Sequence, residues 1–201
     1  MAKVVVHIHD LGLGGAERIA LKWIAWLQDM GHEVTLMLGH PPNEVFFHAP
    51  LGLKVVARPI GSKVSTWRWL RTYLSKHPPD LALGVSTRPS INLLLANVGK
   101  SWRVIVAEVN YPPSKKLPFS WWILRQFLYP KAALHQVQTL RIGQWLEDSG
   151  LTNHWRIVSN PVEWPLPRQQ PCLLPESEIP PEAKVVLAVG TKPYQKGFDR
   201  L

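Results

Sequence analysis

The sequence predicts an α/β fold, a Rossmann-like parallel sheet with helices on both faces. Three observations carry this expectation. Short β-branched runs alternate with helix-length amphipathic segments, the signature of βαβ units. The first such run, within MAKVVVHIHDLG, leads straight into a glycine turn. Hydrophobic residues make up 46% of the 201 residues and charged residues 18%, ample material for a sheet covered on both sides.

The elements follow in order. Lys3 to His9 reads as a strand, Gly15 to Met30 as a helix, and Glu33 to Leu38 as a strand. Leu53 to Arg58 and Leu81 to Val85 are strands on either side of a helix from Val64 to Lys76. A helix over Ser90 to Val98, a strand over Arg103 to Ala107 and a helix over Phe119 to Tyr129 come next. Leu134 to Gln138 is a strand, Thr139 to Ser149 a helix and Trp155 to Val158 a strand. The pattern then breaks. Pro161 to Pro181 is proline-rich, as interdomain linkers are, and a buried-strand run resumes at Lys184 to Gly190. The expected organisation is a Rossmann-like domain over 1–162, a linker over 163–183, and the start of a second Rossmann-like domain over 184–201. Because the chain ends within the first turn of a helix, that second domain is expected to be truncated.

The charge balance is basic, 23 Lys and Arg against 14 Asp and Glu, with a net charge of +9 and an isoelectric point near 9.9. Such a surplus implies an anionic partner: nucleic acid, anionic lipid or a diphosphate ligand. No nucleic-acid-binding motif accompanies it. Cys172 is the single cysteine, which excludes an internal disulfide and a cysteine metal cluster. The amino-terminal run lacks the features of a signal peptide, and no stretch is long and apolar enough to span a bilayer. The expected location is cytoplasmic, with a peripheral position on the inner face of the membrane as an extension of it.

Two motifs carry chemistry. In Asp10-Leu-Gly-Leu-Gly-Gly-Ala-Glu17, the glycines permit a tight turn at the start of a helix whose free N–H groups favour phosphate. A dinucleotide fingerprint is excluded, since its third glycine would fall at Glu17 and the second strand ends Leu38-Gly39-His40 without an acid. The turn is either a phosphate site or simply the join of strand to helix. The second motif, Val189 to Asp199, is a strand followed by a loop with Lys192 and Lys196; Lys196, beside Gly197, suits a diphosphate.

Together, LGLGGAERIAL…GHEVTLM, VQT…IVSNPVE and VVLAVG…QKGFDRL resemble the family 4 glycosyltransferases of GT-B fold. The resemblance implies two facing Rossmann-like domains and transfer of a sugar from a nucleotide diphosphate donor, a UDP-sugar, with retention. It implies no required cofactor or metal. The stretch Ala107 to Pro112 looks most like the subgroup that extends lipid-linked or polysaccharide chains, so the implied acceptor is a glycan or a lipid-linked sugar. Carried over by position, the donor diphosphate lies near Gly14 and Gly15 on one side and near Lys196 on the other. The arginine usual directly after Gly190 is Thr191 here, with Lys192 one place on. The paired glutamates that contact the donor would lie beyond Leu201. The rival class is a catalytically inactive remnant that keeps only acceptor or membrane binding.

The remaining candidates come from strand ends and surface patterning. His9 and Asp10, with Glu17, are acceptor-side candidates at the carboxyl end of the first strand, where a parallel sheet places ligands. No catalytic residue is assigned, and Glu108 and Asn110, at another strand end, are the candidates. His7 and His9 share a strand face as a metal pair would, but no carboxylate or cysteine cluster joins them, and no metal is expected. From Lys54 to His77 there are six Lys or Arg and no acid. In the helix there, Trp67, Leu70 and Leu74 face the sheet, while Trp69 and Tyr73 point away beside Arg68 and Lys76. Phe119 to Tyr129 is apolar nearly all round, flanked by Lys115, Lys116 and Lys131. Arg68, Trp69, Lys115 and Lys116 are therefore either membrane-facing toward anionic lipid, or a packed core with solvated charges around it.

Overall fold

The computed structural model describes residues 1–12, 14–41, 50–114, 116–161, 180, 182–184 and 197–198. The chain divides into two compact units, Met1–Pro161 and Val162–Leu201. The linker and second-domain expectations fall almost wholly outside the described residues.

The first unit is a seven-stranded parallel sheet: β1 (Lys3–Ile8), β2 (Glu33–Leu38), β3 (Lys54–Ala57), β4 (Leu81–Val85), β5 (Arg103–Glu108), β6 (Leu134–Val137) and β7 (Trp155–Ile157). Its spatial order is β3-β2-β1-β4-β5-β6-β7. The helices are α1 (Gly15–Asp29), α2 (Thr66–Lys76), α3 (Thr87–Asn97), α4 (Phe119–Leu128) and α5 (Leu140–Asp148). The Rossmann-like expectation for this unit holds.

Strand alternation sorts the core into two layers. Val4, Val6, Ile8, Leu36 and Leu38 bury against Ala20, Leu21 and Ile24 of α1 on one face. Val5, Met37, Ala82, Val104, Val106 and Val137 bury on the other, against Leu70 and Leu74 of α2, Ile91 and Leu94 of α3, Leu128 of α4, and Ile142 and Leu146 of α5. The α1 side chains recur at helical spacing, which is why that segment winds and packs. It stops at Gly31, whose φ of +79° lets its N–H reach Gln28 O at 2.8 Å while His32 N reaches Leu27 O at 3.0 Å.

Most boundaries move by a residue or two, but α3 begins three residues earlier than Ser90. Pro89 falls in its first turn, where a missing N–H costs nothing. Two close approaches fix the layers. A Cβ at Gly84 would stand 2.5 Å from Ser90 Cα, and one at Gly143 would stand 2.5 Å from the Trp155 ring.

Candidate functional site

β1 and β4 are sheet neighbours but not sequence neighbours, so the strand order reverses between them. Loops leaving their carboxyl ends diverge and open a crevice, the place where open parallel sheets take ligands. The glycine turn follows β1, Ser86 follows β4, Val109 to Tyr111 follow β5, and Thr139 follows β6. A depression lined in part by Pro79, Asp80, Trp102 and Arg103 lies at the opposite, amino edge. Its Asp80 carboxylate is taken up by Lys3 N at 2.7 Å, and parallel sheets take ligands at the carboxyl edge.

The glycine turn is shaped by its own acids. Gly12 N donates to Asp10 Oδ1 at 3.2 Å, so Asp10 tightens the loop it opens. Gly14 caps α1 in an extended conformation. A Cβ there would collide with the carboxylate of Glu17, which folds back over the helix start, whereas a Cβ at Gly15 would meet nothing within 4 Å. The positive end of the α1 dipole is thus already faced by a carboxylate. Beside this loop the half-exposed His9 lies 3.9 Å from Asp10 and meets His40 edge-on, with ring centroids 4.7 Å apart.

Glu108 is not presented to the crevice. It is only 2% exposed, and its carboxylate accepts from Thr87 Oγ1 at 3.1 and 3.2 Å and from the Tyr129 hydroxyl. A carboxylate held this way braces the neighbouring turn. Burial first, and Glu108 second, push the Tyr129 phenol well above its usual range, so Tyr129 stays a donor. The turn it braces contains Ser86, at φ +80° and ψ 163°, a region nearly reserved for glycine. Ser90 Oγ, donating toward Gly84 O and Ser86 O at 2.8 Å each, and Ser86 N on Ala107 O at 2.9 Å hold that turn. Asn110, two residues beyond Glu108, is exposed at the edge.

Two buried histidines stay neutral. Burial lowers His7 to about 4, and its Nδ1 pairs with Met37 O at 2.9 Å. His7 is therefore structural, not half of a metal pair with His9. Burial also lowers His135 to about 4, and neither of its ring nitrogens has a hydrogen-bond partner among the described residues. Groups of three or more His, Cys, Asp or Glu able to hold a metal are absent among the described residues.

The structure sorts the other sequence candidates. Lys115, Lys192 and Lys196 lie outside the described residues. Lys116 and Arg68 are exposed, with Arg68 Cζ 5.3 Å from the Trp67 ring centroid. Trp69 is corrected: it and Tyr73 are half-buried against the core instead of pointing to solvent, because the apolar side of α2 is wider than its Leu stripe. Arg71 is likewise committed, donating to Ala96 O at 3.0 Å and Val98 O at 2.6 Å at the end of α3. α4 exposes apolar side chains together, at Phe119 (74% exposed), Phe127 (70%) and Trp122, with Phe119 and Trp122 stacked 6.0 Å apart. Among the described residues no helix is long and apolar enough to cross a membrane.

Sequence reading missed Ser86, Thr87, Arg88, Tyr129 and Arg141. The signal for the first three was available, since they directly follow a predicted strand. Tyr129 had none, because its partner is 21 residues away. The Asn-Pro motif is tied to the same edge, with Gln138 Nε2 donating to Asn160 Oδ1 at 2.7 Å.

Comparison with known proteins gives a consistent setting. Residues 14–161 match the model of a family described as Glycosyl transferase 4-like domain. The chain resembles the crystal structure of Anabaena Alr3699/HepE in complex with UDP and glucose (TM-score 0.60, 13% identity, 81% of this chain and 45% of that one). It also resembles the apo lipopolysaccharide outer core galactosyltransferase WaaB (TM-score 0.60, 16% identity, 81% and 46%). A third likeness is to a putative UDP-N-acetylglucosamine 2-epimerase from Listeria monocytogenes (TM-score 0.57, 17% identity, 74% and 42%). The chain thus spans less than half the length of these structures, and they show the fold alone, since one fold hosts both chemistries. Curated proteins give no match.

Proposed function

Because the chain belongs to the glycosyl transferase 4-like domain family, we propose that it forms the acceptor-side part of an enzyme that transfers a sugar from a nucleotide diphosphate donor, a UDP-sugar. The acceptor is a glycan or a lipid-linked sugar, and transfer proceeds with retention and without a metal. The observation that carries this reading is the family match across residues 14–161, the span that supplies the start of α1 and the crevice loops after β4, β5 and β6.

In this reading Asp10, His9 and Asn110 contact the acceptor from the ends of β1 and β5. Glu17 sets the shape of the glycine turn, and Gly15 is where a donor phosphate has open approach. By the family resemblance Lys196 and Lys192 are donor-diphosphate residues, and a cation there stabilises the leaving diphosphate as its charge develops. Glu108 acts through Thr87 and the Ser86 turn as a positioning residue. The chain works in the cytoplasm on the inner membrane face, held there by Phe119 and Trp122 of α4, with Lys116 before that helix and Lys131 after it. Asp10→Ala and Asn110→Ala should raise the acceptor KM while leaving the donor KM unchanged. Donor KM rising instead would remove both residues from the acceptor side.

A further inference from the structure

We infer that Arg88, Arg125 and Arg141, gathered where β4, β5 and β6 end, form a seat for a phosphate or diphosphate group carried by the acceptor. The inference rests on the acceptor-side reading above and names the chemistry that reading leaves open.

Each guanidinium lies over an aromatic ring. Arg88 is 5.4 Å from the Trp121 centroid, Arg125 is 5.1 Å from Trp145, and Arg141 is 4.4 Å from Tyr111. Trp121 and Arg125 are one turn apart on α4, so that helix links Arg88 on α3 to Trp145 on α5, and Tyr111 closes the arc from the loop after β5. An arginine resting on a ring face loses little freedom on binding and keeps its in-plane N–H fork for an oxyanion.

The charge is only partly compensated. From Val109 to Leu146 the sequence contains no Asp or Glu. None of the three arginines is in a salt bridge among the described residues. Glu108, buried at the end of β5, accepts from Thr87 and Tyr129 and supplies negative charge on the inner side of the group. Arg125 is only 6% exposed and its Nε has no partner among the described residues, which keeps its charge in a poorly screened setting.

Position adds a second argument. Arg88 and Arg141 each sit in the first turn of their helix, where a cation opposes the dipole. Neither helix has an acid in that turn, whereas α1 already holds Glu17 over its start. A bound anion turns both placements from unfavourable to favourable. Three cations joined through Trp121, Trp145 and Tyr111 outnumber the one buried carboxylate, Glu108, beside them, and match a phosphate or diphosphate better than a single carboxylate.

The test is a calorimetric titration of the full 201-residue chain with inorganic pyrophosphate at fixed ionic strength. Parallel titrations use Arg88→Ala/Arg141→Ala, Arg88→Lys/Arg141→Lys, and a remote control, Lys63→Ala/Lys76→Ala. Wild type and control should bind saturably at one site, with the alanine pair weakened about tenfold or more. The lysine pair should fall between them, since it keeps charge but not the planar fork. It also serves as the deciding variant if the alanine pair fails to fold. A wild-type isotherm from either pair, an equal loss in the control, or binding of glucuronate without pyrophosphate would overturn the proposal.

A second arm uses phosphatidylcholine vesicles with and without farnesyl diphosphate. Arginine-dependent pelleting with the diphosphate lipid assigns the group to a lipid-linked acceptor; binding of soluble pyrophosphate alone assigns it to a water-soluble one. No step of this test requires sugar transfer. Pyrophosphate binding in a protein that never transfers sugar would sink the transferase reading and leave the seat standing.

Discussion

The hydroxyl of Tyr129 donates its hydrogen bond to the carboxylate of Glu108, and neither residue reaches solvent. The pair ties the end of α4 to the end of β5, and through Thr87 to the first residue of α3. One buried carboxylate thereby fixes three of the elements that frame the crevice.

Tyr129→Phe should therefore destabilise the fold by about 1–3 kcal/mol, the cost of leaving a buried acceptor one donor short. Glu108→Gln should cost a similar amount, because the amide keeps one acceptor oxygen and adds a donor with no assigned partner. Urea unfolding of each variant reads this directly. Midpoints unchanged from wild type would mean that the network does not brace the fold.

Glycine substitutions separate packing from function. Gly84→Ala and Gly143→Ala should each cost about 1–3 kcal/mol, since the added methyl meets backbone or a ring at 2.5 Å. Gly15→Ala meets nothing and should leave stability unchanged or slightly higher. In an enzyme complete with its second unit, the same Gly15→Ala should raise the donor KM if phosphate approaches there. A normal donor KM would assign the turn to the strand–helix join alone.

Stability should fall with acid. His7 and His135 both lie near 4 in the folded chain, against 6.5 for an exposed histidine. Between those values the unfolded chain binds more protons, so stability is full above about 6.5 and is lost as pH drops toward 4, by at most about 3 kcal/mol for each histidine. Unfolding midpoints measured from pH 7.5 to 4 should show this slope, and His135→Phe should flatten part of it. A flat profile in wild type would mean that neither histidine is buried neutral.

What was legible in the sequence follows from the range of each signal. Strand and helix order was legible because hydrophobic period is local, and Leu70 and Leu74 pack as their spacing requires. The glycine turn was legible for the same reason. Glu108 was found by its place at a strand end, but its burial was not, since nothing local reveals that Thr87 and Tyr129 will close over it. Trp69 was misplaced because a helical wheel gives direction but not the width of the covering layer. The arginine arc was invisible, being assembled from three helices and a loop.

Vesicle co-sedimentation should separate α4 from α2 as the membrane face. Phe119→Ala/Trp122→Ala and Lys116→Ala/Lys131→Ala should each reduce pelleting with anionic vesicles, each lysine contributing roughly 1 kcal/mol near the surface. The charge variant's effect should fade as salt rises. Trp69→Ala should pellet like wild type. Equal pelleting by all of them would make the α4 face ordinary surface, and the acceptor would be better sought among soluble molecules.

The central claim is acceptor-dependent sugar transfer. Its most direct measurement is a radiolabelled UDP-sugar panel incubated with membrane-lipid extract and soluble glycans, using residues 1–201 alone and residues 1–201 joined to a complete donor-binding unit. The account predicts labelled product only from the joined protein, and only when an acceptor is present. Turnover by residues 1–201 alone, or consumption of the nucleotide sugar by the joined protein regardless of acceptor, would contradict it.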